Sequence, residues 1–284
     1  MITSVFAPGK IILAGEYAVT EGYPGLAIPA HGGVRVRLEP GDASPVQIIW
    51  KGPGGHPAWH DYVRQVVMLC EKQSGMTYPG TLEIEMGIPA GKGMGSSTAV
   101  VIGVTRALLG ENCEVQARRN EDILNPGHSG LDFAVVWSGA PIVFRKGDGV
   151  RNAEFSVSSL GPALLIDTGE PGETTPALVA WLKTRLEEPS AREALVIIGG
   201  CTERLLRHES PITVFRDHHR AQVALGVVPP DTQHLITAIE QAGGAAKVIG
   251  AGGRTGGGGG MVLALHSDVE VLKTIAGNFP VHTL

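Results

Sequence analysis

Cysteine is scarce and poorly placed for cross-linking: Cys70, Cys113 and Cys201 are the only three among 284 residues. An odd number, far apart and without C-x-x-C spacing, argues against a disulfide framework or a zinc site and for three buried or idle thiols. Charge is thin as well, at 18% of residues, with 23 basic against 28 acidic side chains and a net of −5. Such a chain does not bind nucleic acid by bulk charge. No run of ~18 apolar residues is available to span a membrane. The opening MITSVFAPGK lacks the apolar segment of a secretory leader. A soluble, cytoplasmic protein without nucleic-acid or membrane partners is expected.

Glycine, by contrast, is in excess: 40 of 284 residues, about twice the usual ~7% share. The excess falls in discrete runs without a G-X-Y period, which suggests loops whose backbone approaches something closely. A hydrophobic content of 43% supports a real core. The length suits one or two domains of ~150 residues. A soft boundary lies near 155–160, where SSLGP precedes a fresh strand, ALLID.

Val34, Val36 and Leu38 alternate in GVRVRLE as a strand with one buried face, and VQIIW and TLEIEM read as further strands. Trp59, Tyr62, Val63, Val66, Val67 and Cys70 recur at helical spacing in HPAWHDYVRQVVMLCEK, an amphipathic helix behind a Gly/Pro-rich loop. EVQARRNEDIL reads as a short charged helix, followed by the loop NPGHSG and the apolar DFAVVW and PIVF. The second half begins with the strand ALLID and continues in helices at TTPALVAWLKTRLEE, REALVIIGGCTERLLRH and DTQHLITAIEQAG. A glycine run, a strand at MVLAL and a last helix at DVEVLKTIAG complete it. Strands and helices mix without a strict βαβ period, so an α+β fold is expected.

The segment that carries chemistry is IPAGKGMGSSTAVVIGVTRALLG. Its glycines lead into Ser96, Ser97 and Thr98, and Val100, Val101, Val104 and Leu108 continue at helical spacing. Backbone N–H groups at a helix start suit an anion, so this reads as a phosphate-binding loop. Two familiar nucleotide loops do not fit. GIPAGK misses the G-x-x-x-x-G-K-[ST] register, because Gly93 follows Lys92. GAGGRTGGGGG has no second βαβ unit behind it, as a dinucleotide fingerprint requires. On pattern alone, two ordinary turn-rich loops remain the alternative.

Three segments, in order, resemble the GHMP family of small-molecule kinases: APGKIILAGEYAV at 7–19, IPAGKGMGSSTA at 88–99 and AAKVIGAGGRTGGGGGMVLAL at 245–265. LLIDTGEPGETTPALV at 164–179 and VALGVVPPDTQHLITAIEQAGG at 223–244 match the connecting pattern of the C-terminal half. The resemblance spans nearly the whole chain. It implies an N-terminal ribosomal-protein-S5-like domain over 1–157 that holds the phosphate loop. A C-terminal ferredoxin-like α/β sandwich would follow over 158–284, with ATP and substrate between the two. Within the family, Glu121 followed eleven residues later by Asp132 of Ser129-Gly130-Leu131-Asp132 is similar to the mevalonate kinases.

The resemblance also implies roles. Gly91, Lys92, Gly93, Met94, Gly95, Ser96, Ser97 and Thr98 would hold the nucleotide, and Ser97 with Glu121 would ligate Mg2+ through hard oxygen donors. Asp132 would be the general base for the attacking hydroxyl, with Lys10 lowering the pKa there and stabilising transferred charge. Glu16, Tyr17, His128, Ser129, Gly130, Thr175, Gly252 and Gly253 would line the acceptor site. Plainer readings stand beside these: helix capping for Ser96, Ser97 and Asp132, an edge lysine for Lys10, and a solvated loop histidine for His128.

Four departures from the family pattern stand out. Tyr17 occupies a histidine position, Asn125-Pro126-Gly127-His128 stands where H-G-N-P is common, Ile249 replaces a threonine, and Arg254-Thr255 interrupt the last glycine run. The implied activity is ATP-dependent phosphorylation of the 5-hydroxyl of mevalonate by a homodimer. The alternatives are a phosphomevalonate kinase, with Lys92, Arg145, Lys146 and Arg254 as candidate phosphate contacts, a GHMP kinase acting on a sugar, and a non-catalytic ligand-binding homologue.

Overall fold

Two sheets divide the chain between them in the computed structural model, which describes residues 2–52 and 57–284. The first sheet collects β1 (Thr3–Ala14), β2 (Gly25–Pro40), β3 (Gln47–Lys51), β4 (Gly80–Met86), β5 (Ile142–Arg145) and β6 (Gly149–Asn152). Four helices belong to it: α1 (Pro57–Ser74), α2 (Ser96–Leu109), α3 (Glu114–Leu124) and α4 (Leu131–Ser138). The strand order is β3-β4-β2-β5-β6, with β1 also on β2, and every pairing is antiparallel except β3 with β4.

One irregularity in β1 prepares the site. Pro8 has no N–H to give, and the β1–β2 register shifts between Pro8 and Lys10. The Lys10 N–H is thereby turned to the Met94 carbonyl at 2.9 Å, in the glycine loop before α2.

The second sheet is built from β7 (Ala163–Asp167), β8 (Ala245–Val248), β9 (Met261–Leu265) and β10 (Val281–Thr283). Its helices are α5 (Thr175–Arg185), α6 (Pro189–Leu206), α7 (Pro211–Leu225), α8 (Pro230–Gln241) and α9 (Val269–Ala276). The antiparallel order β10-β7-β9-β8 is that of the expected ferredoxin-like sandwich. Strand alternation sorts its side chains into two cores. Leu164, Ile166, Val262 and Ala264 pack with Ile236 and Ile239 of α8 and Leu272 of α9. Leu165, Leu263 and Leu265 turn the other way, into a core continuous with that of the first sheet. Buried on both faces, MVLAL has an unbroken apolar run.

The expected strands in 34–39, 46–50, 81–86, 163–167 and 261–265 are present, as are the helices foreseen after them. The Gly/Pro-rich loop expected ahead of α1 falls at 52–56, of which residues 53–56 lie outside the described residues. DFAVVW, read only as apolar, belongs to α4. Helix α7 was not foreseen. Its buried residues, Val214, Phe215, His218, His219, Ala221, Gln222 and Leu225, include three polar positions that break the apolar period. All three cysteines are free and buried, as their spacing indicated.

Candidate active site

The glycine loop lies against Lys10 and against the third glycine motif. Gly95 caps α2 with φ 72°, and an added Cβ would come 2.8 Å from Lys10 Cγ. At Gly93, φ 84°, a Cβ would sit 2.7 Å from the Ile249 carbonyl oxygen. Side chains here would push apart the segments that the loop joins. Behind Gly95, the first-turn N–H groups of α2 lack intrahelical partners and favour an anion. The Gly91 N–H donates to Ser96 Oγ at 3.2 Å. Lys92 reaches across to the second sheet, with Nζ 2.8 Å from each Asp167 carboxylate oxygen.

Helix α4 aims Asp132 at this loop's support. Its N-cap is Gly130 at φ 92°, and Ser129 Oγ accepts the Leu131 N–H at 3.2 Å. Asp132 sits in the first turn, where the helix dipole favours a carboxylate. Lys10 Nζ lies 3.2 Å from Asp132 Oδ1, the lysine side chain 3% exposed and the aspartate 34%. The pair is sealed at its lysine and open at its carboxylate.

Glu121 forms the neighbouring acidic position. It is 1% exposed, and its Oε1 accepts the Thr98 hydroxyl at 2.7 Å. Burial raises its pKa and the Asp132 charge adds to that rise, while hydrogen bonds from Thr98 and Asn125 and the charge of His128 oppose it. Its Oε2 is buried and has no hydrogen-bond partner among the described residues. A carboxylate so placed beside the Thr98 hydroxyl suits a hard cation. No group of three or more His, Cys, Asp or Glu gathers as a metal site among the described residues, so such a cation would rely on ligand oxygens as well.

The remaining expected residues are distributed differently. His128 pairs with Asp122, Nε2 to Oδ1 at 2.8 Å. Glu16 is not open: its carboxylate is bonded to Lys247 Nζ, lies 3.0 Å from His218 Nε2, and is 3% exposed. Lys247 also donates to the Ile12 carbonyl at 3.1 Å. Tyr17 holds φ 63° and donates its hydroxyl to the Ala251 carbonyl at 2.5 Å. Gly253 N–H donates to the Val227 carbonyl at 3.0 Å, and Gly252 is packed against the same residue. Thr175 is exposed at the first residue of α5. Asp167, His218 and Lys247 were missed from sequence. Only Lys247 had a signal, as the lysine that opens the third glycine motif.

Residues 61–125, from α1 to the end of α3, match the family described as GHMP kinases N terminal domain. A mevalonate kinase of Thermococcus onnurineus is 30% identical over 329 aligned positions, covering 98% of this chain and 94% of that protein. The chain belongs to the mevalonate kinase family. Its fold is shared with the crystal structure of the Methanococcus jannaschii mevalonate kinase, at TM-score 0.81 and 17% identity over 99% of this chain and 96% of that one. The L. major mevalonate kinase in complex with R-mevalonate superposes at TM-score 0.80 and 18% identity, over 99% and 95% of the two chains. Within this mevalonate kinase family member, the Arg254-Thr255 interruption acts as a clasp. The N–H groups of both residues donate to the Glu173 carboxylate at 2.9 and 3.0 Å, and the Arg254 guanidinium lies 3.9 Å over the Trp181 ring.

Proposed function

We propose that the protein transfers the γ-phosphoryl group of ATP to the 5-hydroxyl of mevalonate. The observation that carries this reading is the Lys10–Asp132 pair, 3.2 Å apart beside the glycine loop, in a chain of the mevalonate kinase family. The proposal divides the chain into 1–157, with the phosphate loop, and 158–284, with nucleotide and acceptor between them. Backbone N–H groups of 91–98 bind the phosphates, since glycine leaves them unobstructed. Ser97 and Glu121 would hold Mg2+, which when bound neutralises charge on the triphosphate.

Asp132 accepts the proton of the attacking hydroxyl on its exposed edge. Lys10 keeps that carboxylate aimed and stabilises the charge that develops on the transferred group. His128, Ser129 and Gly130, at the entry to α4, line the acceptor site together with Thr175, Gly252 and Gly253. Glu16 and Tyr17 shape it from behind. The reading also takes the protein as a cytoplasmic homodimer without nucleic-acid or membrane partners. Among the described residues no helix is long and apolar enough to cross a membrane.

The structure favours mevalonate over 5-phosphomevalonate for a specific reason. A second substrate phosphate needs free cations, and three of the four candidates are engaged elsewhere. Lys92 is held by Asp167, Arg254 stacks on Trp181, and Arg145 donates to the Gly22 carbonyl at 2.8 Å. The test is coupled ADP release with MgATP against mevalonate, 5-phosphomevalonate, galactose and homoserine. Turnover on mevalonate alone is expected. Turnover on 5-phosphomevalonate instead would move the acceptor assignment, and ATP binding with no turnover on any acceptor would make the protein a ligand-binding homologue.

A further inference from the structure

The mechanism above gives Asp167 no task, yet this carboxylate of the second sheet grips the phosphate loop of the first. Between Gly91 and Gly95 the loop has three glycines at positive φ, 70°, 84° and 72° for Gly91, Gly93 and Gly95. Backbone of this kind has wide conformational freedom unless something ties it down. Two side chains leave the loop. Met94 is buried in the main core, and Lys92 crosses to the second sheet.

Lys92 is held there at both ends. Its Nζ lies 2.8 Å from each oxygen of Asp167, the last residue of β7. Its carbonyl accepts the N–H of Met261, the first residue of β9, at 3.0 Å. Asp167 and Met261 face each other across the β7–β9 ladder, so one cross-strand pair holds both the side chain and the backbone of Lys92. The carboxylate is itself fixed, because Asp167 Oδ1 also accepts the Gly169 N–H at 3.0 Å. The two side chains are 24% and 11% exposed, so the pair is only partly screened by water.

We propose that Asp167 is a positioning residue for the nucleotide, acting through Lys92 to hold the phosphate-binding loop in its receiving conformation. The proposal deepens the kinase reading above and rests on it. A glycine loop that must order itself around each incoming phosphate gives up part of the binding free energy, whereas a loop tied in advance does not. Lys92 serves as the tether, since its ammonium and its carbonyl are both engaged by the second sheet.

Asp167→Asn removes the charge that holds Lys92 while keeping side-chain size and an oxygen for the Gly169 N–H. MgADP binding is measured by titration calorimetry, well below the thermal midpoint of each variant. At such temperatures a mere staple between the sheets would leave affinity unchanged. The expected result is MgADP binding about 5- to 10-fold weaker than in the unmodified protein. Lys92→Met should weaken it by a similar factor, and Lys92→Met/Asp167→Asn no further, because one contact is lost in all three. Lys92→Arg, whose guanidinium can make the same paired bonds to a carboxylate, should keep the affinity close to that of the unmodified protein. Unchanged affinity in Asp167→Asn, or additive losses in the double variant, would overturn the proposal. So would tighter binding in Asp167→Asn, which would make Lys92 a phosphate contact that Asp167 withholds. The readout needs no acceptor, so a failed mevalonate assay leaves it decisive. An unmodified protein that does not bind MgADP would overturn the kinase reading as well.

Discussion

Two ion clusters flank the same short stretch of chain and are built in opposite ways. At Lys10 the partner is Asp132, whose side chain is 34% exposed. Six residues on, Glu16 meets Lys247 and His218, and none of the three side chains exceeds 2% exposure. The sealed cluster joins three elements, the end of β1, strand β8 and helix α7, and thus both sheets. Burial alone would raise the Glu16 carboxyl, but the charges of Lys247 and His218, with their hydrogen bonds, bring it down to about 2. Burial and the Lys247 charge push the His218 pKa down, against the pull of Glu16. The comparison separates two uses of buried charge. A pair that performs chemistry must leave one member reachable, whereas a pair that fastens sheets must leave neither.

The sealed cluster should break most dramatically. Lys247→Met leaves Glu16 buried without its cation, and a loss of about 3–5 kcal/mol in urea unfolding is expected, as for other buried pairs that lose one partner. A loss near zero would mean that the cluster does not fasten the sheets. A smaller effect should be visible on the acid side. Because the folded pKa of Glu16 lies below its ordinary value of 4.5, its contribution is fully present above that value and is lost as pH falls toward about 2. Unfolding free energy followed from pH 6 downward should therefore fall less steeply in Glu16→Gln than in the unmodified protein. Parallel slopes would contradict the assignment. The smallest effect is expected at Tyr17→Phe, which removes the bond to Ala251 and should cost about 1 kcal/mol.

The legibility of the molecule follows the same division. The loop before α2 was readable because glycines followed by Ser96-Ser97-Thr98 and an apolar helical period are local signals. The first motif was recognisable by resemblance but not as a strand, since β1 is buried on both faces in its second half and shows no alternation. Asp132 and Lys10 were named as roles, yet nothing local shows that residues 122 apart in sequence meet at 3.2 Å. The Glu16–Lys247 bond, spanning 231 residues, was less accessible still, and His218 lay on a helix whose buried stripe is part polar. Tyr62 was counted among the apolar positions of α1, and only the fold brings its hydroxyl to Asn125.

The open pair is the part of the comparison on which the proposed function rests, and Asp132→Asn examines it most directly. The variant keeps size and shape while removing the proton acceptor. If the exposed carboxylate is the base, turnover of mevalonate with MgATP should fall by about 100-fold or more, with nucleotide affinity essentially kept. Near-normal turnover would contradict the account and reduce the Lys10–Asp132 pair to a structural contact.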